Sequence, residues 1–161
     1  MGLLVKGATA FTQLTDTPSS LSGETKKILR VNAGETAMEL VDNEAALTFV
    51  IDGGGSAITT GEKGHLVAPF ACEIESVEME ADQSGDIKVD IWKDTYANFP
   101  PTDADTICGG NEPEMSSAQK DQDATLTGWT TAIAEGDILA YNVDSCTTIT
   151  RCTITLHVKK T

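Results

Sequence analysis

His65 and His157 are the two imidazoles of the chain. They fall in separate predicted strands, and His157 sits on the polar side of its strand, so no catalytic or metal-binding pair is expected. Both read as surface side chains. Asp82, Asp86 and Asp90 are spaced four apart. A calcium loop alternates its oxygen ligands more closely and ends on a bidentate glutamate, so these aspartates read instead as part of a solvated hairpin turn. Gly53-Gly54-Gly55 is followed by no Lys-Ser/Thr pair, which excludes a phosphate loop and leaves a turn with positive backbone dihedrals. Cys72, Cys108, Cys146 and Cys152 include no Cys-x-x-Cys pair, so a zinc site is not expected. Free thiols are expected, with Cys152 as a small core residue; a Cys146–Cys152 bridge is the alternative.

Trp92, Tyr96, Phe99, Trp129 and Tyr141 are five of the eight aromatic residues. They could form a stacking platform for sugars, but Trp and Tyr more often fill a sandwich core or a subunit contact, and that reading is preferred. With 25 acidic residues, close carboxylate pairs are unavoidable, and spacing alone does not single out a glycosidase pair. No Gly-x-Ser-x-Gly nucleophile motif is present. The chain therefore reads as a non-enzyme, with no cofactor and no metal.

Charge narrows the partners. Net charge is −14 over 161 residues. Residues 1–43 carry four basic and five acidic side chains, and residues 44–161 carry seven and twenty, so nearly all of the excess lies in the second part. Such a surface repels phosphate backbones, and nucleic acid is not an expected partner. No apolar run approaches the ~18 residues of a membrane span, so membrane insertion is not expected either. The opening Met-Gly-Leu-Leu-Val-Lys has too short an apolar stretch for a signal peptide, and Lys6 stands where a myristoylation motif wants Ser or Thr.

These side chains must be positioned by strands, because period-2 alternation dominates and no long helical period occurs. Lys27–Val31 and Ala37–Val41 form a hairpin pattern around Asn32-Ala33-Gly34-Glu35, preceded by the turn-rich segment Leu14–Ser20. From Leu47 onward, short strands recur. Leu47, Phe49 and Ile51 share a face, as do Leu66, Ala68 and Phe70. A parity switch between Ile74 and Val77 predicts a β-bulge near Ser76. Gln83–Asp86 reads as a turn, and Ile87, Val89 and Ile91 as the core side of the next strand. Residues 93–123 read as loop-rich, with one helical turn starting at the capping box Ser116-Ser117-Ala118-Gln119. Leu139, Tyr141 and Val143, then Cys152, Ile154, Leu156 and Val158, complete the pattern. The expected fold is all-β: a jelly-roll or β-sandwich domain over residues 44–161, preceded by a small β-hairpin segment over residues 1–43. That hairpin is too small to stand alone and must pack on something.

Two stretches carry a resemblance. Phe11-Thr12-Gln13-Leu14-Thr15-Asp16-Thr17-Pro18-Ser19-Ser20, with Gly23 and then Val31-Asn32-Ala33-Gly34-Glu35-Thr36, resembles a short module of tailed-bacteriophage tail fibres and virion appendages. Val89–Thr102, continued by Leu126–Trp129 and Gly136–Leu139, is similar to a C-terminal domain of many phage structural proteins. The resemblance implies a virion component, assembled in the host cytoplasm and often homotrimeric. Its N-terminal part would dock on other phage capsid or tail proteins while the β-domain projects outward. The short chain favours a decoration protein, head spike, head-fibre subunit or compact tail-tip subunit over a long fibre. A tail-tip or tail-fibre protein binding a host receptor or surface glycan is the alternative. The expected attachment residues are the apolar side chains of the first segment: Phe11, Leu14, Ile28, Leu29, Val31, Met38 and Leu40.

Overall fold

A computed structural model of the chain describes Phe11 and residues 14–161. The N-terminal residues read above for export and lipidation lie outside the described residues, as do Thr12 and Gln13. The chain divides into two compact units between Asn43 and Glu44.

The first unit is built on a two-stranded antiparallel sheet, β1 (Ile28–Val31) with β2 (Met38–Val41). Its loop is closed by Asn32, whose side-chain oxygen accepts from the Thr36 and Ala37 amides at 3.0 and 3.3 Å. The Asn32 carbonyl accepts from the Glu35 amide at 3.0 Å, and Glu35 takes the left-handed backbone that such a turn needs (φ 55°). The upstream turn is tied in as well. The Thr17 hydroxyl donates to the Phe11 and Leu14 carbonyls, and the Met38 amide donates to the Asp16 carbonyl at 2.7 Å. Hydrogen bonding through Met38 therefore joins the Leu14–Ser20 turn to the hairpin that carries Val31–Thr36.

The second unit is a seven-stranded antiparallel sheet: β3 (Glu44–Asp52), β4 (Gly61–Val67), β5 (Cys72–Asp94), β6 (Glu114–Asp123), β7 (Ala132–Ile133), β8 (Ile138–Cys146) and β9 (Arg151–Lys160). The order is β3-β9-β5-β8-β4, with β6 and β7 on the other edge of β5. The 23-residue β5 organises everything. Its first half pairs with β9 and its second half with β8, so β8 and β9 lie end to end along one edge. Bending this ribbon near residues 82–86 and 147–150 folds the sheet on itself, giving the expected all-β sandwich of jelly-roll type.

The core is the apolar side of the folded sheet. Leu47, Ile51, Val77, Met79, Cys152, Ile154 and Leu156 come from one half and Val89, Ile91, Leu139, Tyr141 and Val143 from the other, all buried. The predicted bulge is present as a register shift between Ile74 and Ser76. Two expectations are corrected. Residues 83–86 are not a turn between separate strands: β5 runs through them. Residues 116–119 are not a helical turn: they belong to β6, where pairing with β5 satisfies backbone groups that a single helical turn would leave open.

The corner of β5 is held by side chains. Asp82 accepts from the Thr150 and Arg151 amides at 3.2 and 3.0 Å and from the Thr150 hydroxyl. Asp86 accepts from the Ser117 amide at 2.6 Å. Gly85 leaves space here: a Cβ would lie 2.4 Å from the Thr148 hydroxyl oxygen and 3.0 Å from Ile149 Cγ1, so those side chains would have to move. The aspartates read as part of one solvated hairpin turn instead divide their work. Asp82 and Asp86 fasten the corner, while Asp90 is buried and accepts from Trp92 Nε1 (2.7 Å) and the Thr106 hydroxyl (2.6 Å).

Candidate functional site

The register of the hairpin decides which of its apolar residues can act together. Residues directly opposite each other in an antiparallel pair share a face. Leu29 lies opposite Leu40 and Val31 opposite Met38, so these four form one continuous apolar face. The other face carries the Ile28–Val41 pair and the Arg30–Glu39 ion pair (2.8 Å). Val31 is 56% exposed, Leu29 is exposed, and Met38 and Leu40 are half-buried. Of the seven expected attachment residues, four therefore come together. Ile28 stands on the opposite face, and Phe11 and Leu14 lie exposed in the turn that the Thr17 hydroxyl closes. Val41, opposite Ile28, and Leu21, also exposed, are apolar residues of this unit that pattern reading passed over. Leu21 belongs to no strand, so alternation carries no signal for it.

Charge within the unit is largely paired. Lys27 lies 3.0 Å from Glu24 and 3.9 Å from Asp42, and hydrogen bonding to Glu24 raises the Lys27 ammonium above its ordinary pKa. An apolar face on a nearly neutral hairpin is suited to burial against protein.

In the β-domain, the aromatic residues separate by role. Tyr141 is buried, and Trp92 and Trp129 are half-buried with committed indole N–H groups, Trp129 donating to the Asn111 carbonyl at 2.9 Å. Tyr96 and Phe99 remain outward, 83% and 51% exposed. They sit on the excursion that leaves β5 after Asp94. It includes short 3-10 helices at Tyr96–Asn98 and Asp103–Asp105 and places the Phe99 ring 4.8 Å from that of His65. Any sugar-stacking surface drawn from the five aromatics thus reduces to this pair.

The histidines are far apart in the strand order, His65 on β4 and His157 on β9, each beside a glutamate: Glu62 at 3.3 Å and Glu78 at 3.0 Å. Among the described residues no three His, Cys, Asp or Glu side chains converge as metal ligands. A cleft of about 260 Å³ is lined by Lys88, Asn111, Glu112, Asp121, Asp123 and Trp129, among others. Its one cation is spoken for: Lys88 lies 2.6 Å from Glu112, and their hydrogen bond raises the ammonium pKa and lowers that of the carboxyl. All four cysteines are free. Burial raises the pKa of each thiol, that of Cys152 to about 12.

No protein-family model and no curated protein matches the chain. Among solved structures, a chain described as "Structure of infectious bursal disease virus Gx strain" aligns at a TM-score of 0.20 and 8% identity. The alignment covers 83% of this chain and 45% of that one, an overlap too loose to inform fold or function.

Proposed function

We propose that this protein is a non-enzymatic structural component of a tailed-bacteriophage particle. It is a decoration, spike or head-fibre subunit that docks through residues 1–43 and projects its β-domain. The observation that carries the reading is the partly exposed Leu29/Val31/Met38/Leu40 face on a hydrogen-bonded unit that contains the first phage-like motif stretch. Burying that face contributes very roughly 25 cal/mol for each Å² removed from water. The near-neutral first segment also approaches acidic neighbours at little electrostatic cost, unlike the β-domain. Several copies in one homotrimer would add avidity, because each later contact becomes intramolecular.

The test is incorporation. Chains lacking residues 1–43 should stay soluble but no longer join particles; incorporation at normal copy number would place docking on the β-domain instead. Light scattering of the full chain checks the trimer, which a concentration-independent monomer would exclude.

A second reading, a tail-tip or tail-fibre protein that binds a host glycan, is favoured by Tyr96 and Phe99, since exposed rings can stack on apolar sugar faces. A glycan array probed with the full chain and with Tyr96→Ala tests it. Binding lost in the variant would support a receptor role, and no binding to any glycan would remove it.

A further inference from the structure

The β3, β4 and β6 edges of the β-domain are built differently. The β6 edge is interrupted: Ser117 has a left-handed backbone (φ 49°), pairing with β5 shifts register around Gly85, and Lys120 lies on the strand. Asp121 and Asp123, opposite Met79 and Val77, put charge on the core side of that edge. The β4 edge has Gly61 and Gly64 at positive φ, a register shift between Glu62 and Gly64, and Lys63 between them. Bulges, lysines and inward charges are the usual devices that stop an edge from accepting another strand. β3 has none of them. Its nine residues pair with β9 in unbroken register from Glu44 to Asp52, with no proline, glycine, lysine or arginine. Among the described residues, β9 is its one strand partner.

We infer that the outer edge of β3 is a strand-addition site for an extended segment of a partner protein, with alternating apolar side chains and basic flanks. In an antiparallel edge strand, alternate residues direct their N–H and C=O groups away from the neighbour, leaving them open to an incoming backbone. The core side of the edge is incompletely covered: Ala45 and Phe49 are half-buried while Leu47 and Ile51 are fully buried. Apolar side chains on one face of an added strand would complete that cover. On the other face, Thr48 and the 52%-exposed Val50 accept β-branched neighbours.

Charge decides against a second copy. Antiparallel self-pairing centred on Thr48 would set Glu44 opposite Asp52 at both ends, in domains that are each strongly acidic. Like charges directly opposite destabilise a strand pair. Lysines or arginines flanking the incoming segment would meet both carboxylates. This site lies wholly on the β-domain and does not depend on what the hairpin docks against.

The experiment uses the full chain and a synthetic peptide of alternating valine and threonine flanked by lysines. Hydrogen exchange is followed residue by residue over 44–52. Binding should slow exchange at least ~tenfold at alternate amides of β3 and leave those already bonded to β9 unchanged. Val50→Lys puts a like charge against the basic peptide at an exposed position. It should weaken binding by at least ~tenfold while keeping the thermal transition. Unchanged exchange, or equal binding of an aspartate-flanked peptide, would overturn the proposal. So would alternate-amide protection that grows with protein concentration in the absence of peptide, which would identify a second copy as the occupant.

Discussion

The ring of Phe49 on β3 stacks on that of Tyr141 on β8, centroids 4.3 Å apart and planes 3° from parallel. The two strands belong to opposite halves of the folded sheet, so this contact joins the layers. It also explains Gly64, which pairs with Tyr141 on the neighbouring strand: a Cβ there would sit 3.1 Å from Phe49 Cζ. The glycine gives the ring its space, and the ring covers the backbone that the glycine leaves bare. Tyr141 is fully buried, and its hydroxyl has no hydrogen-bond partner among the described residues.

Phe49→Ala should therefore cost about 2–4 kcal/mol, below the upper end for a fully buried phenylalanine because the ring is half-exposed. Tyr141→Phe should leave stability unchanged or raise it by about 1 kcal/mol, since it removes a buried group that has lost its water without gaining a partner. Urea denaturation measures both. A loss above ~1 kcal/mol in Tyr141→Phe would show that the hydroxyl is satisfied after all.

The corner predicts a steric effect. Gly85→Ala should destabilise by about 1–3 kcal/mol, because the added methyl meets the Thr148 and Ile149 side chains, which must move to admit it. Chemical denaturation showing no change would mean that the corner relaxes freely.

Asp82 predicts a pH effect. The Thr150 hydroxyl, and then the Arg151 amide, hold its carboxyl below the ordinary carboxylate range. The folded pKa is thus below the unfolded value of about 3.9, so its contribution is present above that pH and lost as pH falls through the folded pKa. Asp82→Asn should flatten the acid limb of the stability–pH curve below about pH 4. An unchanged acid limb would place the acid sensitivity elsewhere.

Thiol chemistry should be silent in the folded state. Burial raises the Cys108 and Cys152 thiols far above the pH of a labelling reaction, so neither should react until the protein unfolds. Reduction should leave stability unchanged. A drop of about 2–5 kcal/mol would reveal a native disulfide.

A fragment of residues 44–161 should fold alone, because the buried core is supplied by the strands from β3 to β9 and their connections. Thermal unfolding followed by circular dichroism checks this. Absence of a cooperative transition would show that the first segment completes the core.

Local pattern was enough wherever a strand meets the core on one side and solvent on the other. The β9 residues Cys152, Ile154, Leu156 and Val158 alternate with Arg151, Thr153, Thr155 and His157, and the buried positions are the apolar ones. The bulge at Ser76 was legible for the same reason, because an inserted residue must switch the parity that follows it. The hairpin was legible from two short runs around Asn32–Glu35, but which of its apolar residues share a face was not. That depends on register, and a one-residue slip exchanges the faces.

The all-β class, the acidic β-domain and the chain positions of most strands were thus determined by composition and period-2 alternation, which are local properties. Tertiary structure alone decided that Gln83–Asp86 continues a strand. Its polar residues and glycine have the chemistry of a turn, and only Ser117 and Thr147–Arg151, brought in by β6, β8 and β9, supply the groups that let Asp82 and Asp86 bend the strand without ending it. It also decided that Asp90 is buried, since its partner Thr106 arrives through a bridge beside Trp92. The contrast between the open β3 edge and the interrupted β4 and β6 edges is likewise tertiary, because edge position is a property of strand order, which pairing between distant segments sets and local sequence does not encode.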